Sequence, residues 1–197
     1  MIYLDYAAST PLHPNIRDNL TGYFAESGNA QSLQMTHLHQ IIAQSKLHIA
    51  NYLSTVPERI FFTSGATESI STAIIGSAEF YRKSGRHVIS FESEHPSVLR
   101  ALDALRKKGY EVTILPVLST GHIDYPQLEK AIRSDTILVS VNHVCNETGI
   151  IHDLVPLIDL KKKYGFTSDS IAQFFGVIDI ISSYTNDFHT YQLFFLN

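Results

Sequence analysis

The sequence has few residues of several types, and each shortage excludes a class of protein. Only one cysteine, Cys145, occurs among 197 residues, which excludes an internal disulfide framework and a multi-cysteine zinc site. Fifteen Lys and Arg against 19 Asp and Glu give a net charge of −4. This balance lacks the basic surplus of a nucleic-acid-binding surface or of a polybasic membrane-binding surface. No run of about 18 apolar residues is present, so no transmembrane helix is expected.

The two ends of the sequence differ in character. The first residues show no basic segment followed by a long apolar one, so no signal peptide is expected and a cytoplasmic location is predicted. No lysine or arginine follows residue 165, and the last 32 residues carry three acids and eight aromatics. Because a surface segment normally mixes charges of both signs, this tail is expected to be either buried or foreign to the fold.

The hydrophobic pattern alternates between helical and strand periods along the chain. Alternating strands and helices of this length predict an α/β fold with a largely parallel sheet and flanking helices. The predicted helices are 31–54, 67–81, 96–108, 125–133 and 155–164, and the predicted strands are 59–63, 87–91, 111–115 and 136–141, with a further strand near Phe166.

The segment Thr63–Ser69 joins a predicted strand to a predicted helix. Gly65 permits unusual dihedral angles and close approach of the backbone, and the first amides of a helix point outward near the positive end of its dipole. This combination suits a phosphate group. The alternative is an ordinary Ser/Thr N-cap with Glu68 in the first helical turn.

Three further polar clusters follow predicted strands, where ligands of open α/β sheets bind. They span residues 92–97, 142–149 and 169–173. Taken singly, His95 is more simply explained as a structural histidine, and Asn146 as a turn residue before Gly149. We call the Thr63–Ser69 segment the phosphate turn. The functional interpretation depends on all three clusters lying at the same sheet edge as this turn. A metal site is not expected, since His37 and His39 do not share a helix face and no HExxH motif occurs.

Several ordered motifs together resemble the cysteine desulfurases, enzymes of the class V aminotransferase fold that use pyridoxal phosphate (PLP). The match extends from residue 1 to about residue 165. The motifs are Ile2–Pro11, Gly28–Ser32, Thr63–Ser69, Glu94–Leu99, Asp135–Ser140 and Asn142–Gly149.

The resemblance implies the incomplete large domain of a fold-type I PLP enzyme, with three segments. These are an N-terminal segment 1–15, a PLP-binding portion 16–165 and a divergent, truncated tail 166–197. It implies that Ala66 and Thr67 hold the cofactor phosphate, that His95 stacks on the ring and that Asn146 contacts the ring hydroxyl oxygen. The remaining cofactor residues it implies are Asp169 and Gln173.

The chain departs from the family pattern near its end. In the family a Gln follows the ring-nitrogen Asp by three residues, whereas Gln173 follows Asp169 by four. If Gln173 is in register, Ser170 takes the position of the Asp. The family's Schiff-base lysine and nucleophilic cysteine have no counterpart here, and Cys145 is interpreted as a small buried residue.

These features leave three functional hypotheses open. In the first, the chain resembles a cysteine desulfurase, which moves sulfur from L-cysteine to an acceptor for iron–sulfur cluster or thio-cofactor synthesis, but is inactive as written. In the second, it is a truncated or frameshifted, non-enzymatic fragment. In the third, it is an interaction module of the same fold that pairs with a full-length relative. By resemblance, a homodimer and an iron–sulfur scaffold protein are expected partners, and nucleic acid and membrane are not.

Overall fold

The fold is an α/β arrangement in which helices flank a central sheet. A computed structural model describes residues 12–24, 36–145, 147–164, 175–178 and 191–196. The helices are α1 Pro14–Phe24, α2 Thr36–Tyr52, α3 Ala66–Phe80, α4 Pro96–Lys107, α5 Tyr125–Ala131 and α6 Val155–Lys163, with a 3₁₀ turn at Pro57–Arg59. The strands are β1 His87–Phe91, β2 Glu111–Leu115, β3 Thr136–Asn142, β4 Phe175–Ile178 and β5 Tyr191–Leu196.

The sheet has the strand order β2-β1-β3-β5-β4. Strand β1 lies at the centre of its parallel part and pairs with both β2 and β3. This confirms the predicted α/β class and the parallel sheet. The tail adds β5, antiparallel to β3, and β4, antiparallel to β5, and neither strand was predicted.

Each face of the parallel strands packs against a different pair of helices. On one face, Val88 and Leu138 belong to a buried cluster with side chains of α3 and α4. On the other, Ile89, Phe91 and Val139 cluster with Leu128 of α5 and Leu157 of α6. Because neighbouring strand residues point to opposite faces, β1 and β3 are buried along their whole length. This burial explains their continuous apolar runs.

The predicted strand at Arg59–Thr63 is wrong. Pro57–Arg59 forms a 3₁₀ turn closed by the Ile60 N–H donating to the Pro57 carbonyl oxygen, and residues 60–63 have no regular structure. Among the described residues no strand pairs with this segment, and Phe61 and Phe62 are exposed. An apolar, β-branched run favours a strand only where a neighbouring strand accepts its backbone hydrogen bonds.

The described residues divide into two compact units, one formed by residues 12–63 and one from Ser64 onward. The first contains α1, α2 and the 3₁₀ turn, and α1 was not predicted from the sequence. The second contains the sheet, helices α3 to α6 and the candidate site residues that the structure describes, Ala66, Thr67 and His95. The division into segments 1–15, 16–165 and 166–197 stays a prediction. In the described part of the chain, no helix has the length and hydropathy needed to span a membrane.

Candidate functional site

The carboxyl ends of the parallel strands bring three candidate segments to one edge of the sheet. Helix α4 follows β1 and runs back to β2, and α3 precedes β1, so both helices begin at this edge. The polar loops after β1 and β3 lie there as well. The Asn142 side-chain amide at the end of β3 donates to the Ser93 carbonyl oxygen after β1, at 3.4 Å. This contact joins the loop that carries His95 to the loop that carries Asn146.

The N-terminus of α3 is open. Gly65 is its N-cap and makes no side-chain capping hydrogen bond. A Cβ atom built on Gly65 would meet nothing within 4 Å in the part of the chain that the structure describes. The Gly65 backbone is extended, with φ 160° and ψ 177°, a conformation open to any residue. The glycine therefore contributes free space in front of the first amides of α3, rather than the unusual dihedral angles expected from the sequence.

Glu68 turns back onto the start of the helix. Its Oε2 atom accepts the Ser64 backbone N–H at 2.7 Å and the Ser64 hydroxyl at 2.5 Å. These two hydrogen bonds, the hydroxyl first, lower the pKa of Glu68 below its usual value. The arrangement resembles a capping box, so the N-cap alternative considered from the sequence is present in part. The carboxylate engages Ser64, the residue before the N-cap, rather than an amide of the first helical turn.

His95 is the N-cap of α4. Its Nδ1 atom accepts the Ser97 backbone N–H at 3.2 Å and lies 2.7 Å from the Ser97 hydroxyl oxygen. Both contacts use Nδ1 and fix the plane of an exposed ring. The structural role considered for an isolated His95 is therefore present, and its two contacts use only one edge of the ring.

The loop after β3 closes into a short hairpin. Val144 and Ile151 form an antiparallel bridge, and the Cys145 N–H donates to the Ile150 carbonyl oxygen at 2.9 Å. Cys145 is buried, as expected from the sequence. Asn146 lies outside the described residues, and so do Asp169 and Gln173, so their predicted roles stay predictions.

Sequence analysis missed a row of buried polar side chains beneath this edge. Ser90, Ser140 and Asn142 alternate with residues of the α5–α6 cluster and therefore face α3 and α4. All three are buried, and neither the Ser90 hydroxyl nor the Asn142 Oδ1 atom has a hydrogen-bond partner within the described structure. Buried polar atoms normally find partners. The signal in the sequence was a polar residue at every second position near the ends of two otherwise apolar strands.

These observations fit an anionic, ring-bearing ligand. The amides at the positive end of α3 suit a phosphate, and the open space at Gly65 admits it. An oriented imidazole at His95 suits a flat ring, and the buried row supplies unpaired polar atoms nearby. Within the described ranges, no group of three or more His, Cys, Asp or Glu side chains is placed to hold a metal ion.

Comparisons with known proteins agree with this geometry. The model of the family "Aminotransferase class-V" matches residues 2–174. The chain is 38% identical over 170 residues to the cysteine desulfurase IscS of Enterobacter sp. (strain 638), covering 83% of this chain and 42% of that protein. The chain thus spans less than half the length of the curated relatives it matches.

Solved structures give the same result. A NifS-like protein superposes with a TM-score of 0.77 at 31% identity, covering 83% of this chain and 46% of the other. A structure of SspA in complex with cysteine superposes with a TM-score of 0.75 at 32% identity, covering 82% and 48%. On the family match, the shared fold and the placement of the phosphate turn, the chain belongs to the class V aminotransferase family.

Proposed function

We propose that this chain forms the PLP-binding part of a cysteine desulfurase. The observation that carries the proposal is the glycine N-cap of α3, with open space around Gly65, set at the carboxyl edge of a parallel sheet. The matched relatives are cysteine desulfurases, and ligands of open α/β sheets bind at this edge. PLP is the ligand that joins a phosphate to an aromatic ring in this family.

Each residue has a distinct role in holding the cofactor. The backbone amides of Ala66 and Thr67 bind the phosphate, with the α3 dipole adding to the attraction. His95, held through Nδ1 by Ser97, stacks on the ring. Asn146 contacts the ring hydroxyl oxygen, and Asp169 and Gln173 complete the set by resemblance. When bound, PLP supplies an electron sink whose strength depends on a protonated ring nitrogen.

The substrate and partners follow from the relatives. L-cysteine is the proposed substrate of the complete enzyme, which transfers its sulfur toward iron–sulfur cluster or thio-cofactor synthesis. An iron–sulfur scaffold protein and a second subunit, identical or full-length, are the proposed partners, and the cytoplasm is the proposed location. The 197-residue chain alone binds PLP without turnover, because its sequence has no counterpart of the covalent lysine or the nucleophilic cysteine.

The proposal is tested by measuring PLP binding to a pair of matched glycine variants. Gly65 and Gly76 both lie on or next to α3, and a Cβ at either would meet nothing within 4 Å. Gly65→Val fills the phosphate space, whereas Gly76→Val makes the same change three turns along the helix. We expect at least about tenfold weaker binding for Gly65→Val, since losing one hydrogen bond to a charged group costs about 1.5–3 kcal/mol.

Equilibrium dialysis of the full chain with PLP, and with inorganic phosphate as competitor, gives the readout. Wild type and Gly76→Val should bind alike, and phosphate should compete. Equal affinity in all three proteins, or PLP binding insensitive to phosphate, would contradict the proposed site.

A further inference from the structure

Two short hairpins meet at the carboxyl edge of the sheet, one after β2 and one after β3. The first, residues 117–123, is closed by a Val117–Ile123 bridge and by the Leu118 N–H donating to the His122 carbonyl oxygen at 2.8 Å. The second, residues 143–152, is closed by the Val144–Ile151 bridge. It also has the His152 N–H donating to the His143 carbonyl oxygen at 2.9 Å.

The two hairpins touch through side chains. The rings of His122 and His152 lie edge to face, with centroids 6.1 Å apart and planes at 89°. Ile150 packs onto Gly121 so closely that a Cβ at position 121 would overlap its Cδ1 atom. Gly121 itself has φ +82°, the left-handed region that favours glycine. A glycine at 121 is therefore favoured by the turn, and a larger residue there would also displace the end of the Ile150 side chain.

His152 is the buried component of this contact. Only 2% of its surface is exposed, and within the described structure its Nδ1 atom is buried without a hydrogen-bond partner. A neutral imidazole tolerates this position, whereas an imidazolium would bury a second N–H donor and a charge.

Among the described residues, no acid side chain acts on His152 to compensate a charge. The ionisable groups that act on it are His122 from the first hairpin and His143 from the start of the second, and both oppose its protonation. Asp153 is the next residue along the chain, but its carboxylate is exposed and accepts the Val155 N–H at 3.0 Å. Burial, with these two histidines adding to it, lowers the pKa of His152 below its usual value.

We propose that His122, His143 and His152 form a pH-sensitive latch, in which protonation of His152 separates the 143–152 hairpin from the 117–123 hairpin. At neutral pH the uncharged ring stays packed and the latch is closed. As the pH falls below about 6.5, the usual value for histidine, the open state gains a proton that the closed state resists. The closed state therefore loses stability progressively over the interval down to the lowered pKa of His152.

Amide hydrogen exchange of the full chain tests the latch directly. The reporters are the N–H groups of Cys145 and His152, which close the second hairpin. Their protection, corrected for intrinsic exchange, should fall between pH 7.5 and 5.5, by up to about tenfold per pH unit for one coupled proton. The N–H groups of the parallel strands should keep their protection. This readout needs no cofactor, so it is independent of the proposed function.

Matched variants assign the effect to His152. His152→Phe keeps an aromatic ring against His122 but cannot titrate, so hairpin protection should no longer depend on pH. His48→Phe makes the same change at an exposed position of α2 and should behave as wild type. Protection that falls equally in wild type and His152→Phe would overturn the latch.

A second measurement uses the wild-type chain alone and so does not require that a variant folds. The ring nitrogen shifts of His152 in the wild-type chain should show a neutral imidazole that persists to lower pH than the usual histidine value of about 6.5, and ring protonation should coincide with hairpin opening. Ring protonation near pH 6.5 with unchanged hairpin protection would equally overturn the proposal.

Discussion

At the scale of single residues, the phosphate turn contains groups that attract an anion and one carboxylate, Glu68, that repels it. The open amides of α3 attract an anion, while the Glu68 carboxylate sits one turn into the same helix and binds Ser64 through both its N–H and its hydroxyl. This carboxylate stabilises the empty helix end, since acids are favourable near a helix N-terminus. The same negative charge repels a phosphate that approaches the amides.

Glu68→Gln should therefore tighten the binding of inorganic phosphate. Removing a charge next to the first turn changes the affinity for an anion by about twofold to fivefold, the range of exposed helix-dipole effects. Titration at low and high salt measures it, and the gain should shrink as salt screens the interaction. Asp103→Gln removes a charge from the exposed side of α4, where Asp103 pairs with Arg106, and should leave the affinity unchanged. A weaker affinity in Glu68→Gln would show that the carboxylate orders the anion site rather than competing with it.

The same contact gives a pH dependence whose sign is fixed by the lowered pKa of Glu68. The hydrogen bonds from Ser64 are fully present above the carboxyl's usual value and are lost only as the pH falls through its lowered value. The Glu68 carboxylate is therefore charged throughout the neutral pH range. Differences in phosphate affinity between Glu68→Gln and wild type should persist from pH 8 to pH 6.

At the scale of elements, the turn from α3 into β1 is fixed by a close approach of two backbones. A Cβ built on Gly85 would overlap the backbone carbonyl of Asp135, just before β3, and the His87 N–H donates to that carbonyl oxygen at 3.1 Å. Only glycine fits at position 85, because a side chain there would overlap the Asp135 backbone. The contact between residues 85–87 and Asp135 fixes where β1 and β3 come together.

Gly85→Ala should destabilise the chain by about 1–3 kcal/mol, the usual cost of forcing extra volume into a packed site. Gly76→Ala, in an open part of α3, should be neutral or stabilising by up to about 1 kcal/mol, because alanine favours a helix over glycine. Urea denaturation of both variants measures the difference. A Gly85→Ala variant as stable as wild type would mean that the two turns are not in contact in solution.

The elements also show what the sequence could and could not predict. Strands β1 and β2 begin and end where the pattern predicts, and helices α3 to α6 agree within a few residues, because each has a clear apolar period with Pro or Gly at its ends. Gly109, with φ +83°, ends the α4 segment as its position indicates. The failure at 59–63 has a different cause. That segment is as apolar as β1, but a strand depends on a distant partner that local sequence does not specify.

The residues of the candidate site also fall into two groups, those that local sequence predicts and those that depend on contacts between distant parts of the chain. Short motifs located the start of α3 and His95, because turn and capping chemistry are local. The buried row of Ser90, Ser140 and Asn142 and the contact between His122 and His152 depend on pairs of residues from different strands and hairpins. Alternating polar positions mark the row within each strand, but no spacing along the chain predicts that the two strands are neighbours or that His122 contacts His152, because both depend on the strand order.

At the scale of the whole molecule, the lysines decide what PLP can do on this chain. All lysines lie at or before Lys163. Helix α6 carries three of them, Lys161, Lys162 and Lys163, and the last two pair with acids at the surface. Lys163 Nζ donates to Glu129 at 2.5 Å, and Lys162 lies 3.6 Å from Asp159. Lys161 differs, since partial burial lowers its pKa. An aldehyde reacts with the uncharged amine, so we expect Lys161 to be the most reactive of the three.

Incubation with PLP, reduction with borohydride and peptide mass mapping should give low labelling over several lysines, with Lys161 the highest in α6. Because this reaction does not use the phosphate turn, Gly65→Val should leave the pattern unchanged while weakening reversible PLP binding. Lys161→Arg, which keeps the charge and removes the reactive amine, should lower the signal at that peptide alone. A cysteine desulfurase of full length serves as the positive control and should carry the label on one lysine.

If one lysine of the 197-residue chain were labelled stoichiometrically, and Gly65→Val abolished that label, the chain would hold PLP covalently at the turn. The proposal of binding without turnover would then fail.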